Sequence, residues 1–225
     1  MIRTCLILCL FTPIYSFENL FDIQKKLWNG EIVKLENVFD VPIDNDPDLN
    51  YVLQVGDGLD DNADFYRYVS PSNDLLDTFK DNILEKATFF TELLFINDFN
   101  FETLTYTKYN ESCYLESHHD YHIGLNPQQK QYHQARLLSI IYYTSDYMNN
   151  CGGELVWNGE FPYKEIKPEK NTMYLFIPRE HSFHRIKDVK CGSRHAISGW
   201  LTSNRPSDTF LQMHHIMEYK KNNIP

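Results

Sequence analysis

Tyr109-Asn110-Glu111-Ser112-Cys113-Tyr114-Leu115-Glu116-Ser117-His118-His119-Asp120 is the stretch around which the other segments of this chain fall into order. Just upstream, Thr103, Thr105, Thr107 and Tyr109 alternate with Leu104 and Tyr106, and a period of two marks a β-strand. His118 and Asp120 are two positions apart, so on an extended strand both project from one face, with His119 turned to the other. Downstream, Phe183-His184-Arg185-Ile186 supplies a second imidazole; Arg194 follows ten residues after His184, and Trp200 six residues after that. Two imidazoles and one carboxylate on one side of a metal leave the opposite coordination positions open, as in non-haem Fe(II) centres. On ligand count alone, zinc with three protein ligands fits equally well.

Working outward, Leu137 to Tyr143 is a near-continuous apolar run of strand length, expected of a strand buried on both faces. Gly152-Gly153 turns the chain into Glu154-Leu155-Val156-Trp157, and Met173–Ile177 and His195–Leu201 read as two more apolar strands. On the N-terminal side, residues 17–29 read as a short amphipathic helix and Ile32–Leu35 as a strand. A long helix is expected from the Ser70-Pro71-Ser72-Asn73 start to about Leu94, capped by Ser72 or a neighbour, with Asp74 and Asp77 at its positive end. The segment Asp40 to Asp64 is rich in Asp, Asn, Pro and Gly and reads as a loop or mobile flap carrying Asp44, Asp46, Asp48, Asp57, Asp60 and Asp61. Many short strands with supporting helices make the chain α+β. The segmentation expected is residues 17–99 as N-terminal helical and loop support, 100–204 as the core and 205–225 as a polar tail with a helix over Ser207–Tyr219.

A formal charge of −10 and the lack of any basic run disfavour nucleic acid as a partner, whose binding rests on Lys and Arg meeting phosphates. Residues 1–16, with Arg3, a short apolar run from Cys5 to Phe11 and a small residue at Ser16, predict a secretory signal too short to span a bilayer. The competing reading is a buried strand broken at Pro13. With cleavage the protein enters the secretory pathway; without it the protein stays in the cytoplasm. No other stretch predicts a transmembrane segment. Cys113, Cys151 and Cys191 lie beyond the signal, so at most one disulfide forms and one thiol stays unpaired. The sequon Asn110-Glu111-Ser112 sits beside the proposed metal strand, where a glycan would be obstructive.

The ordered set resembles the 2-oxoglutarate- and Fe(II)-dependent dioxygenases, within them the prolyl 4-hydroxylase-like branch. The matching pieces are Tyr109, His118-x-Asp120, Arg136-Leu-Leu-Ser-Ile-Ile-Tyr-Tyr143, Gly152-Gly153-Glu154-Leu155, Phe176 ahead of His184-Arg-Ile, and Arg194 to Trp200. The resemblance covers roughly residues 100–202 and implies a double-stranded β-helix, two sheets folded into a jelly roll. It implies that His118, Asp120 and His184 hold Fe(II). Arg194 then anchors the far carboxylate of 2-oxoglutarate through a bidentate guanidinium pair, with Tyr143, Tyr109 and Ser198 as further co-substrate contacts. The hydroxyl found two residues after the arginine in other branches is replaced here by Ala196. His119 and His181 are read as decoys.

Dioxygen and 2-oxoglutarate are the implied co-substrates, with ascorbate as an auxiliary reductant. The retained Asp120 favours hydroxylation, because related halogenases lack that carboxylate. The implied reaction is hydroxylation of an unactivated C–H bond with release of succinate and CO₂, on a proline of a peptide or protein. Alternatives are a lysine, small-molecule or other non-prolyl substrate, or a metal-binding jelly roll without turnover. The latter is disfavoured because His118, Asp120, His184 and Arg194 are all retained, and a zinc hydrolase would have no use for Arg194. The acidic flap is expected to favour proline peptides bearing Lys or Arg. Oligomeric state is not readable.

Overall fold

A computed structural model describes residues 17–44, 49–57, 64–70, 73–121, 124–126, 131–133, 135–158, 163–203 and 206–222. The expected signal at 1–16 lies outside them, as do Asp46, Asp48, Asp60, Asp61 and Ser72. In chain order the elements are α1 (Phe17–Trp28), β1 (Val33–Glu36), β2 (Val52–Asp57), β3 (Asp64–Ser70), α2 (Asp74–Glu85), α3 (Ala87–Leu94) and β4 (Asn100–Asn110). There follow β5 (Tyr114–His118), β6 (Gly124–Asn126), β7 (Gln131–His133), β8 (Ala135–Tyr143), β9 (Leu155–Trp157) and β10 (Lys164–Ile166). β11 (Thr172–Phe176), β12 (His184–Ile186), β13 (Ser193–Ser203) and α4 (Asp208–Asn222) complete the chain.

Eleven strands form one sheet in the order β1-β11-β8-β13-β4-β3-β5-β12-β9-β10, with β2 paired to β3, and every pairing is antiparallel. The sheet curls so far that its terminal strands line one groove, β1 through Val33 and Lys34 and β10 through Lys164 and Ile166. This is the α+β jelly roll. β8 is buried along its length because both its faces are covered. Leu138, Ile140 and Tyr142 join the outer core beneath the helices, with Leu27, Phe79, Phe90, Leu104, Tyr106, Ile197 and Phe210. Ile141 and Tyr143 turn inward and pack with Tyr109, Leu155, Trp157, Phe176, Ile186 and Ala196. A buried strand of this kind reads as an unbroken apolar run.

Two local expectations need correction. The helix expected to run to Leu94 is two helices, broken at Lys86 (φ −103°, ψ 18°), whose N–H reaches back to Ile83 and Leu84. Leu76, Phe79 and Ile83 of α2 and Phe90, Leu93 and Leu94 of α3 all stay buried, so a one-residue break leaves the apolar spacing almost untouched. The cap is Asn73, whose side chain accepts from the Leu76 N–H at 2.9 Å. The segment Asp40–Asp64 is not wholly loop, since β2 lies inside it and forms a hairpin with β3. The helix expected in the C-terminal tail is present as α4 and is docked: Phe210 is buried edge-on against Trp28 with ring centroids 5.4 Å apart.

Cys151 and Cys191 form a disulfide, and Cys113 is a buried free thiol whose pKa burial pushes up, which suits an inert core residue. The bridge ties the start of β13 to the turn at Gly152, which has φ +72° and pairs with Val189. Closing a loop with a sequence separation of 40 is worth about 4 kcal/mol on the chain-entropy relation. The double variant Cys151→Ser/Cys191→Ser is expected to lose about 2–4 kcal/mol in urea unfolding, with Tm falling accordingly.

His195 is also buried, its ring 2.8 Å from the Ser193 hydroxyl and edge-on to Tyr106. Burial pushes its pKa down to about 4, with Lys108 and Arg194 adding to the shift. In the unfolded chain a histidine titrates near 6.5, so folding excludes a proton that the unfolded state binds. The stability is therefore intact above about pH 6.5 and is lost as pH falls toward about 4. His195→Gln should flatten this fall, measured as the urea midpoint across that window.

Candidate active site

The inward face of the sheet encloses a cavity of about 640 Å³, and the residues expected to do chemistry gather on it. His118 and His184 are direct cross-strand partners, with ring centroids 4.3 Å apart. His184 sits opposite His118 while Ile186 sits opposite Leu115, so three residues of β5 span two of β12. The extra residue is a β-bulge. It lets Leu115 and His118, which a regular strand would turn to opposite faces, both line the cavity. Asp120 lies beyond the end of β5, so strand parity does not aim it as the spacing suggested. Its carboxylate is fixed from β8 instead, where the Ser139 hydroxyl donates to Oδ2 at 2.8 Å.

The three side chains converge: His118 Nε2 is 3.6 Å from Asp120 Oδ1, and His184 Nε2 is 3.7 Å from Oδ2. One ligand atom from each lies within 4.8 Å of the others. These distances are too long for hydrogen bonds. His118 Nδ1 lies 2.9 Å from the Glu116 carbonyl, and His184 Nδ1 lies 3.0 Å from that of Ser182. A carbonyl only accepts, so each Nδ1 carries a hydrogen and each Nε2 can present a lone pair to the centre. Burial, reinforced by His118, pushes the His184 pKa down to about 4, which keeps its imidazole neutral. For Asp120, burial alone would raise the pKa. The nearby His184 and His118 rings and the hydrogen bond from Ser139 outweigh it and hold the carboxyl well below the usual range. Lone pairs facing a buried carboxylate form an all-acceptor arrangement that a cation satisfies, so the residues fit a divalent metal with two imidazoles and one carboxylate.

Arg194 stands on β13 and is 5% exposed. Its Nη2 donates to the Tyr143 hydroxyl at 3.0 Å, and its guanidinium lies 5.1 Å from the Tyr109 ring centroid and 4.8 Å from that of Tyr143. Its Nε is buried without a hydrogen-bond partner, and among the described residues no acid forms an ion pair with it. A buried cation between two tyrosines with spare donors is a receptor for an anion. Arg194, Ala196, Ser198 and Trp200 all line the cavity, as the period of two requires. β8 spaces the site: Tyr143 touches Arg194, Ser139 holds Asp120, and Arg136 reaches the Asp120 carbonyl at 3.4 Å.

Neither decoy joins the triad, although His119 also lines the cavity. His119 packs edge-on against Phe183 and Tyr121, and His181 lies in the turn before β12. The flap contributes Leu53, Gln54 and Val55 to the cavity rim, with Phe65 and Arg67 of β3. Asp44, one of its described acids, is paired with Lys170 instead. Sequence reading missed Ser139, Glu102 and the stacking of Arg136 on Trp200. Ser139 was the one polar residue in the apolar run of β8, and that is the signal that would have found it. Ser139→Ala is expected to weaken iron binding about 10–100-fold by freeing the Asp120 carboxylate, read by metal titration under anaerobic conditions.

The model of the 2OG-Fe(II) oxygenase superfamily matches residues 104–202. Among solved structures, the chain is similar to a 2OG-Fe(II) oxygenase-family oxidoreductase from Burkholderia pseudomallei, with 15% identity, a TM-score of 0.58, and coverage of 85% of this chain and 96% of that one. A Pseudomonas putida prolyl-4-hydroxylase aligns at 13% identity with a TM-score of 0.58, covering 81% of this chain and 98% of the other. The α-ketoglutarate-dependent epimerase SnoN from nogalamycin biosynthesis aligns at 9% identity with a TM-score of 0.55, covering 84% and 82%. At these identities the likeness is one of fold. No curated protein matches the sequence.

Proposed function

We propose, from the match of residues 104–202 to the 2OG-Fe(II) oxygenase superfamily, that the chain is a dioxygenase hydroxylating a proline within a peptide, with His118, Asp120 and His184 as its iron ligands. When bound, iron and 2-oxoglutarate supply the oxidation of an unactivated C–H bond, leaving succinate and CO₂. The protein supplies position and seclusion. Arg194 and Tyr143 receive the far carboxylate of 2-oxoglutarate, Tyr109 walls the same end, and Ser198 lines the cavity farther along β13. Ser139 keeps the Asp120 carboxylate facing the histidines. Trp157 and Phe176 pack on the His184 ring, holding its orientation and keeping water from its buried side.

The observation that carries the prolyl reading is the second end of the cavity. Trp200 lies six residues beyond Arg194 on β13, about 20 Å at 3.3 Å per residue, and is paired on the neighbouring strand with Ser139, which holds Asp120. Trp200 there, with Leu53, Val55 and Phe65 lining the same cavity, suits an uncharged ring presented from an extended peptide. The order of pieces in the sequence supports the same branch. The test is succinate release and product mass with purified protein, Fe(II), ascorbate and 2-oxoglutarate across proline-containing peptides. Hydroxylated proline in any of them supports the reading. Co-substrate turnover that responds to lysine peptides or small molecules and never to proline overturns it.

A further inference from the structure

Asp120 and Tyr121 follow the end of β5 and stand outside its strand pairing. Ser139 fixes the Asp120 carboxylate, but Arg136 reaches its carbonyl only at 3.4 Å. A metal ligand on such a segment depends on partners that hold its neighbours in place. One of those partners lies on α4, outside the residues 104–202 that match the superfamily.

His214 of α4 is buried, and its ring stacks on that of Tyr121, the residue after Asp120, with centroids 5.8 Å apart and planes 16° apart. One turn earlier on the helix, Phe210 stacks on His214 at 6.0 Å and packs edge-on against Trp28, which fixes α4 on α1. The same imidazole meets a second segment. Burial lowers the His214 pKa and the Pro178 carbonyl opposes that shift, which places this carbonyl beside the ring.

Pro178 leads into the turn that delivers His184 on β12. That turn is tight: the Ser182 hydroxyl donates to the Arg179 carbonyl at 2.8 Å and accepts from the Arg179 N–H at 2.9 Å. The Ser182 N–H donates to the same carbonyl at 3.1 Å. Arg179 is buried and reaches the Trp28 carbonyl at 3.5 Å, while the Ser182 carbonyl holds His184 Nδ1. A displacement at Pro178 is therefore carried to the His184 ring. A leucine on α4 would cover the core without burying a polar atom, whereas His214 buries an unpartnered Nε2. What the imidazole adds is a flat ring for Tyr121 with a polar edge for a carbonyl.

We infer that His214 is a positioning residue for the metal centre, clasping the segment after β5 to the turn before β12 and so setting how Asp120 and His184 face each other. The inference rests on the assignment of His118, Asp120 and His184 as ligands. His214 acts through Tyr121 and Pro178.

The experiment titrates Co(II) anaerobically into the metal-free full chain. Visible absorption reports affinity and ligand geometry, and Tm is measured in parallel. His214→Ala should weaken Co(II) binding about three- to tenfold, within the range of couplings carried by packed neighbours, and should alter the ligand-field bands. Tyr121→Leu removes the other half of the stack and should also weaken binding. The double variant should lose no more than the worse single, because both act through one contact. His214→Phe keeps a ring on Tyr121 and should restore the larger part of the affinity. Ile83→Ala, on the buried face of α2, should lower Tm at least as far as His214→Ala and leave Co(II) affinity and bands unchanged. Wild-type affinity and bands in His214→Ala, additive losses in the double variant, or an equal loss in Ile83→Ala overturns the inference. Should His214→Ala not fold, wild-type Co(II) binding by Tyr121→Leu overturns it instead. Co(II) held equally well by the wild type and His184→Ala overturns the ligand assignment, and the inference with it.

Discussion

His118→Ala and His184→Ala each abolish iron binding and turnover, whereas His119→Ala and His181→Ala leave most of both intact. The expectation follows from which lone pairs reach the centre. His118 and His184 give their Nδ1 hydrogens to the Glu116 and Ser182 carbonyls and turn Nε2 toward Asp120. His119 faces Phe183 and Tyr121. Losing one of three protein ligands removes a direct metal bond, so iron content and activity should fall together beyond detection. Iron content by metal analysis and succinate release settle the matter. Iron lost in the His119 variant and kept in the His118 variant would reverse the assignment.

Arg194→Lys raises the apparent KM for 2-oxoglutarate strongly and leaves iron affinity almost unchanged. Lysine keeps the charge but gives up the planar fork that holds both oxygens of a carboxylate, and it cannot reproduce the placement over the rings of Tyr109 and Tyr143. The charge-assisted pair is worth on the order of 1.5–3 kcal/mol, or about tenfold to more than a hundredfold. Arg194 is four residues beyond Lys190 on a segment pinned by the Cys151–Cys191 bridge, so the defect should be local. An unchanged KM would mean that another group holds the co-substrate.

Much of the site was legible because its chemistry runs in a fixed order along the chain. The HxD pair, the distal His184, Arg194 and Tyr143 stand at spacings that mean little singly, and the fold brings them onto one cavity. β8 was legible because both of its faces are buried, which writes an unbroken apolar run. What escaped was non-local or overshadowed. β2 was hidden by the acidic residues around it, although Val52, Leu53 and Val55 carry strand character, and among the described residues it pairs with β3 alone. The bulges in β4 and β5 arise from pairing with β13 and β12, so nothing in the local pattern signals them. The contacts of Glu102 with Arg136 and of Ser139 with Asp120 span 34 and 19 residues, beyond any local pattern.

The acidic flap deserves revision on the same grounds. What its described part places at the cavity rim is Leu53, Gln54 and Val55. Preference for basic peptides therefore has no support from Asp44, which is paired with Lys170, and apolar contact is the better account of this rim.

The central claim is that one cavity holds a metal on His118, Asp120 and His184 and a carboxylate co-substrate on Arg194. Affinity for 2-oxoglutarate, measured anaerobically by calorimetry with and without Fe(II), tests it most directly. A co-substrate that touches both the metal and Arg194 should bind at least about tenfold tighter with iron present, and by reciprocity should tighten iron binding by the same factor. Equal affinity with and without iron would contradict the account.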